Sequence, residues 1–270
     1  MNIDEARKPV VLGRKGTRVG FLGYWCGDPP EARAAKGKPG AAFIKIYTHY
    51  EPVVGLTGVP AEVFTFANPT NLAEMVRDIR MLRSQCDVLV VSLHTGLLHV
   101  PIEIAMYDKQ VARAAVDAGA DVILGHHAHI LKGIEFYRGK PIFYGLCNFV
   151  FDQRSLANLK TESHAARTWG SKRMEVFKFQ DDPDYPTYRM HPEAKQTMIA
   201  KLKIGNGKIS RVSYLPCYYN KNAKPEILKH DERGQENFDY MVKITKGAGL
   251  NAEFEWDGDE VVITEGGMPL

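Results

Sequence analysis

The sequence predicts an α/β fold, and three observations carry that expectation. Residues 87–93 and 121–125 are short, continuous apolar runs rich in Val, Leu and Ile. Runs of that kind belong to strands buried on both faces. Each is preceded by a segment of helical periodicity, and a third run rich in β-formers, 17–25, comes before both. Strands alternating with helices make βαβ units, hence a sheet with right-handed crossovers.

The elements follow in order. "TRVGFLGYW", 17–25, is the first strand, introduced by Arg14-Lys15-Gly16. Residues 26–42 hold many Gly, Pro and Ala and read as a long loop. A helix begins near Thr70 or Asn71, with Leu72, Met75, Val76, Ile79 and Leu82 on one face. "DVLVVSL", 87–93, is the second strand. A helix over 105–120 turns Val111, Ala114, Ala115 and Ala118 inward and stops at Gly119. "DVILG", 121–125, is the next strand, and short strands are expected at 140–145 and 148–152. Residues 153–195 are polar and Pro-rich and read as a long excursion. Beyond it, two alternating runs flank Gly205-Asn206-Gly207, a hairpin signal. A polar helix over 234–248 and a closing hairpin turned at Asp257-Gly258 complete the chain.

Composition excludes several classes. The chain has 270 residues, 44% hydrophobic and 25% charged, and can bury a core without covalent staples. A net charge of +3, with no basic cluster interleaved with aromatics, argues against a nucleic-acid partner. The four cysteines, Cys26, Cys86, Cys147 and Cys217, are far apart and read as reduced thiols. No apolar run reaches membrane-spanning length and the N-terminus lacks a signal-peptide core, so the sequence as given reads as cytoplasmic.

The informative stretch is "DVILGHHAH", 121–129. Ligands of an open α/β sheet bind beyond the carboxyl ends of its strands. His94 falls just past the end of one strand, and His126, His127 and His129 just past the end of the next. Imidazole ligates Zn, Mn and Fe, and an H-x-H pair can aim alternate side chains at a metal centre. Gly125 is expected to turn the backbone sharply into the site. His126 is expected on the opposite side of its strand end from His127, unless the loop kinks. His99 reads as a loop residue beside the site, while His49, His164, His191 and His230 have no partners in sequence and read as surface or packing residues. Asn148 should approach the histidines, either to ligate or orient a substrate oxygen or only to satisfy backbone groups.

"VVVSLHTG", the run 107–152 and the hairpin "KLKIGNGKISRVSYLPCY" resemble the CapA-type poly-γ-glutamate capsule biosynthesis proteins of the calcineurin-like metallophosphatase superfamily. The resemblance extends from about residue 1 to about residue 265 and is strongest over 87–152. It implies a metallophosphatase-like two-sheet sandwich flanked by helices, with residues 1–180 as core and 181–270 as a hairpin and helix packed on it. It makes His94 the histidine after the penultimate core strand, His127 and His129 the G-H-x-H pair with one residue inserted after Gly125, and His126 an adjacent contributor. Thr95-Gly96-Leu97-Leu98 departs from the family's Trp-Gly and acidic pattern, and Cys147 stands where glycine is usual. The family's opening Gly-Asp strand, Asn-Leu-Glu-like segment and Asn-Asn-His segment have no counterpart here, and Gly27-Asp28 reads as a turn. The resemblance therefore implies an N-terminally truncated domain. Neutral histidines alone would hold one ion weakly, since a dinuclear centre needs carboxylates to offset its charge.

Three functions are expected in competition. One is a metal-dependent hydrolase acting on a phosphoester or an anionic polymer. The second is a non-catalytic accessory protein of polymer synthesis or export, associating with polymer-synthesis proteins. The third is a fragment without independent activity.

Overall fold

The structure is a computed structural model and describes residues 2–27, 30–55, 58–151, 175–180, 182–185, 187–188 and 190–267. A short helix, α1 (Ile3–Ala6), leads into β1 (Val10–Arg14) and β2 (Thr17–Trp25). The two strands pair antiparallel about Lys15 and Gly16, both at positive φ. A ribbon of β3 (Ile46–Pro52) and β4 (Ala61–Ala67) precedes α2 (Pro69–Arg83), β5 (Val88–Thr95), α3 (Met106–Ala118) and β6 (Val122–His127). Then come β7 (Ile134–Tyr137), β8 (Lys140–Phe143), β9 (Gln196–Gly205), β10 (Lys208–Tyr219), β11 (Pro225–Ile227), α4 (Glu232–Gly247), β12 (Ala252–Asp257) and β13 (Glu260–Glu265).

Six strands form the first sheet in the order β1-β2-β5-β6-β8-β7. Its centre, β2, β5, β6 and β8, is parallel, and antiparallel β1 and β7 close its edges. The second sheet is antiparallel, in the order β11-β10-β13-β12 with β9 on β10. Alternation along the strands sorts the two faces of the first sheet. Leu89, Val91, Leu93 and Ile123 meet Met75, Ile79 and Leu82 of α2 and Val111, Ala112 and Ala115 of α3. Val88, Val90 and Val122 face the other way, onto Leu202, Ile204 and Ile209 of the β9–β10 hairpin. Near β7 and β8, Ile134 and Phe143 share a cluster with Tyr214, Ile263 and, from α4, Met241 and Ile244. The protein is thus a mixed α/β molecule, two sheets face to face, with α2 and α3 outside the first sheet and α4 in the shared cluster near β7 and β8.

Helix ends follow local chemistry. The Asn68 side chain caps α2 by accepting from the Asn71 amide, two residues before the expected start. Gly119, at φ 118°, ends α3 as expected.

Two expectations fail. Residues 148–151 are not a strand, and 152 lies outside the described residues. Cys147 has a φ of 63°, which breaks the extended run, and the Asn148 carbonyl accepts from Thr197 Oγ1 at 2.5 Å rather than from a ladder. Gly125 makes no sharp turn. It lies within β6, and a Cβ there would stand 2.6 Å from the Phe143 carbonyl oxygen and closer still to that of Tyr144. Glycine is needed for close backbone approach. Asp28 and His164 lie outside the described residues.

Candidate functional site

The site forms where the last residues of β5 and β6 lie side by side. The strands run further than expected, so His94, His126 and His127 lie within them. Their parallel register pairs His94 with His126 and Thr95 with His127. Positions of one parity (Ser92 and His94 on β5, His126 on β6) share the face that looks toward the second sheet. The imidazoles replace valine there where the β9–β10 cover ends.

Direct contacts join these side chains. Ser92 Oγ lies 2.7 Å from His126 Nε2, His126 Nδ1 lies 3.1 Å from His94 Nδ1, and His94 Nε2 lies 2.9 Å from His127 Nδ1. Strict alternation would send His127 to the helix face. Its φ of 109° breaks the alternation, so His126 and His127 both reach His94. Such a backbone is rare for a residue with a Cβ and is held only by surrounding structure. The expected separation of His126 from His127 therefore gives way to the kink.

Burial sets the protonation. It lowers the His94 pKa to about 4, with the neighbouring His127, His126 and His129 adding to the effect. Burial likewise lowers His126, and burial with the adjacent His129 and His126 lowers His127. The cluster is therefore neutral near pH 7, its lone pairs free of competing protons.

His129 stands apart, its ring centroid 6.4 Å from that of His127. Its Nδ1 lies 2.6 Å from Asn148 Oδ1. The loop after β8 thus brings Asn148 to a histidine, but Asn148 is buried and its amide nitrogen donates to the Tyr188 hydroxyl at 2.9 Å. Both ends of the amide face protein groups. His99 is buried with its ring centroid 6.2 Å from that of His129, and His191 stacks on His99 at 6.4 Å. His49 pairs with Glu51 and His230 stacks on Trp256, away from the site.

Thr95 points to the helix face and donates to Asp108 Oδ1 at 2.6 Å. Burial raises the Asp108 carboxyl to about 6 and lowers the Lys132 ammonium to about 8. Lys132 donates to the Glu103 carbonyl at 2.7 Å and also to that of Val100, which pins the loop leaving β5. On the histidine side, Trp25, Tyr24, Ala41, Ala42, Ser92 and His94 border a largely apolar, open depression of about 490 Å³.

Sequence reasoning missed Ser92 and Tyr188. Ser92 was within reach, two residues before His94 on the same strand face. Tyr188 comes from the long excursion, where no periodicity marks it.

The donor set can be tested against a metal ion. Neutral imidazoles suit Zn, Mn or Fe. His94 Nε2 and His127 Nδ1 lie 2.9 Å apart in a hydrogen-bond contact, whereas two nitrogens on one tetrahedral ion stand about 3.4 Å apart. The donor chemistry suits such an ion, but sharing one requires that hydrogen bond to break and the rings to turn. Among the described residues, no group of three His, Cys, Asp or Glu side chains is arranged to hold an ion.

A model of the family described as "Bacterial capsule synthesis protein PGA_cap" matches residues 1–153, more than half of the chain. The chain belongs to the PGA_cap family. The matched segment contains His94, His126, His127, His129 and Asn148, whereas Tyr188 and His191 lie outside it. This PGA_cap chain is 38% identical to the "PGA biosynthesis protein CapA" of Bacillus subtilis (strain 168) over 120 residues, 41% of this chain and 28% of that one. It is 29% identical to the "Capsule biosynthesis protein CapA" of Bacillus anthracis over 160 residues, 56% of this chain and 31% of that one. It is 39% identical over 70 residues to a "Probable polyglutamine synthesis accessory protein" of Mycobacterium tuberculosis (strain CDC 1551 / Oshkosh), 26% of this chain and 18% of that one. Each alignment spans less than a third of the relative. Among the described residues, no helix of this PGA_cap chain is long and apolar enough to cross a membrane.

Proposed function

We propose that this chain carries the metal-binding histidines of a CapA-type protein acting in poly-γ-glutamate capsule synthesis, and that it works as a metal-dependent hydrolase. The observation that carries the reading is the contact of His94 with both His126 and His127, in neutral form, at the ends of adjacent parallel strands. His94 and His127 would hold a divalent ion, with His129 and His126 beside them. The ion would supply a polarised, deprotonated water near pH 7. A phosphoester or an amide-like bond of an anionic polymer is the substrate class, and polymer-synthesis proteins are the partners. The names of the relatives support the link to capsule polymer.

The test is the metal content of the purified chain after stripping and reloading with Zn or Mn at pH 7.5. We expect about one ion per chain, lost in the His94→Ala/His127→Ala double variant. Equal content in variant and parent rules out this site.

A second reading is a non-catalytic accessory protein. It is favoured by the lack, among the described residues, of three grouped donors. Hydrolysis of a generic phosphodiester that rises on adding Mn supports the first reading, and a loaded chain without turnover supports the second.

A further inference from the structure

Three polar groups outside the histidine contacts form a chain with a single consistent direction. It begins at the Ala194 carbonyl, which can only accept. The Tyr188 hydroxyl donates to it at 2.7 Å, so the one hydroxyl proton is committed. The Tyr188 oxygen then faces Asn148 as an acceptor, and Asn148 Nδ2 donates to it at 2.9 Å. That fixes the amide orientation and turns Asn148 Oδ1 toward His129 Nδ1, 2.6 Å away. A carbonyl oxygen accepts, so Nδ1 carries the hydrogen. A neutral imidazole has one N–H, and the lone pair is therefore on Nε2.

The links are held in place. Asn148 is 8% exposed and Tyr188 is 2% exposed. The Tyr188 ring stacks on Tyr219 at 4.3 Å with planes 14° apart. The Thr197 hydroxyl donates to the Asn148 backbone carbonyl at 2.5 Å. The carbonyl of Ala194 also accepts from Cys147 Sγ at 3.3 Å, which its second lone pair allows.

We propose that Tyr188, acting through Asn148, is a positioning residue that locks His129 in the Nδ1-protonated tautomer and presents its Nε2 lone pair to a divalent cation. The cation as recipient rests on the function proposed above, whereas the tautomer does not. Orientation of a ligating imidazole by a partner on its other nitrogen is a general device of metal sites. Here the partner is itself oriented by residues outside the family-matched segment.

The test reads the two parts separately, on the full chain at pH 8. Long-range ¹H–¹⁵N spectra of the metal-free parent should show His129 protonated at Nδ1. Tyr188→Phe keeps the ring on Tyr219 and removes the hydroxyl, so the amide of Asn148 is free to flip. We expect a mixture of His129 tautomers in that variant. Asn148→Asp added to Tyr188→Phe should restore the Nδ1–H form, because a carboxylate only accepts. Should Tyr188→Phe fail to fold, Asn148→Ala carries the same test by removing the acceptor, with the Nε2–H form expected to grow. A parent protonated at Nε2, or an unchanged tautomer in the variant, overturns the proposal. Cobalt(II) titration supplies the second readout. Roughly 10–100-fold weaker binding in Tyr188→Phe is expected. A shifted tautomer with unchanged cobalt affinity overturns the cation as recipient and leaves the tautomer standing.

Discussion

Both ring nitrogens of His94 face other imidazoles, His126 on one side and His127 on the other. Burial penalises its charged form, and the three neighbouring histidines add to that, which is why its pKa falls to about 4. The unfolded chain takes that proton near 6.5. The stability His94 contributes is complete above about 6.5 and is lost as the pH falls toward 4. Denaturation measured across that window should show a steep acid slope in the parent and a shallower one in His94→Gln, with the remainder belonging to His126 and His127. Identical slopes would place the titration elsewhere. Asp108 works in the opposite sense. Burial raises its folded pKa to about 6, above the ordinary carboxyl value of 3.8, so its contribution is complete below about 4 and is lost as the pH rises through 6. Asp108→Asn keeps an acceptor for Thr95 and removes the buried charge. It should therefore gain on the parent between pH 4 and 6, by up to about 3 kcal/mol. Parallel stability curves for the two proteins would refute this.

At the scale of elements, β6 depends on the passage of β8 across Gly125. A Cβ at that position meets two backbone carbonyls, which cannot rotate away as a side-chain tip can. Gly125→Ala should cost about 1–3 kcal/mol or more in chemical denaturation. Gly13→Ala on the edge strand β1, where a Cβ meets nothing within 4 Å, should be near neutral. Equal effects would show that the close approach relaxes freely. The strands legible in the sequence are those buried on both faces, β5 and β6, together with β2, the short β8 and the two hairpins β9–β10 and β12–β13. Each shows as an apolar run or as alternation about a turn. The unread strands lack that signal. All five residues of β1 are exposed, β3 and β4 pair mainly with each other, and β7 has four residues. The site was legible as a place because His94 and His126–His129 end consecutive strands. Its internal order was not. The kink at His127 and the contact of Asn148 with Tyr188 depend on backbone geometry and distant chain that no local spacing encodes.

The whole molecule closes by bringing distant parts together. Val88, Val90 and Val122 lie within the family-matched segment, but Leu202, Ile204 and Ile209, which cover them, do not. Residues 1–153 alone would leave that apolar face open to water. Expressed alone, they should bind a hydrophobic dye and lack a fixed near-ultraviolet signal, whereas the full chain should unfold in one cooperative transition. A cooperative transition in the fragment would show that the first sheet stands without its cover.

The same closure bears on synthesis at the ribosome. The strand carrying Val122 leaves the exit tunnel well before Ile209 of the hairpin that shields it. At 5–20 residues per second the interval is roughly 4–17 s. For that time the nascent sheet offers Val88, Val90 and Val122 to any apolar surface nearby. Chaperone supply should therefore govern the yield of soluble protein, and slowing translation between residues 122 and 209 should lower it.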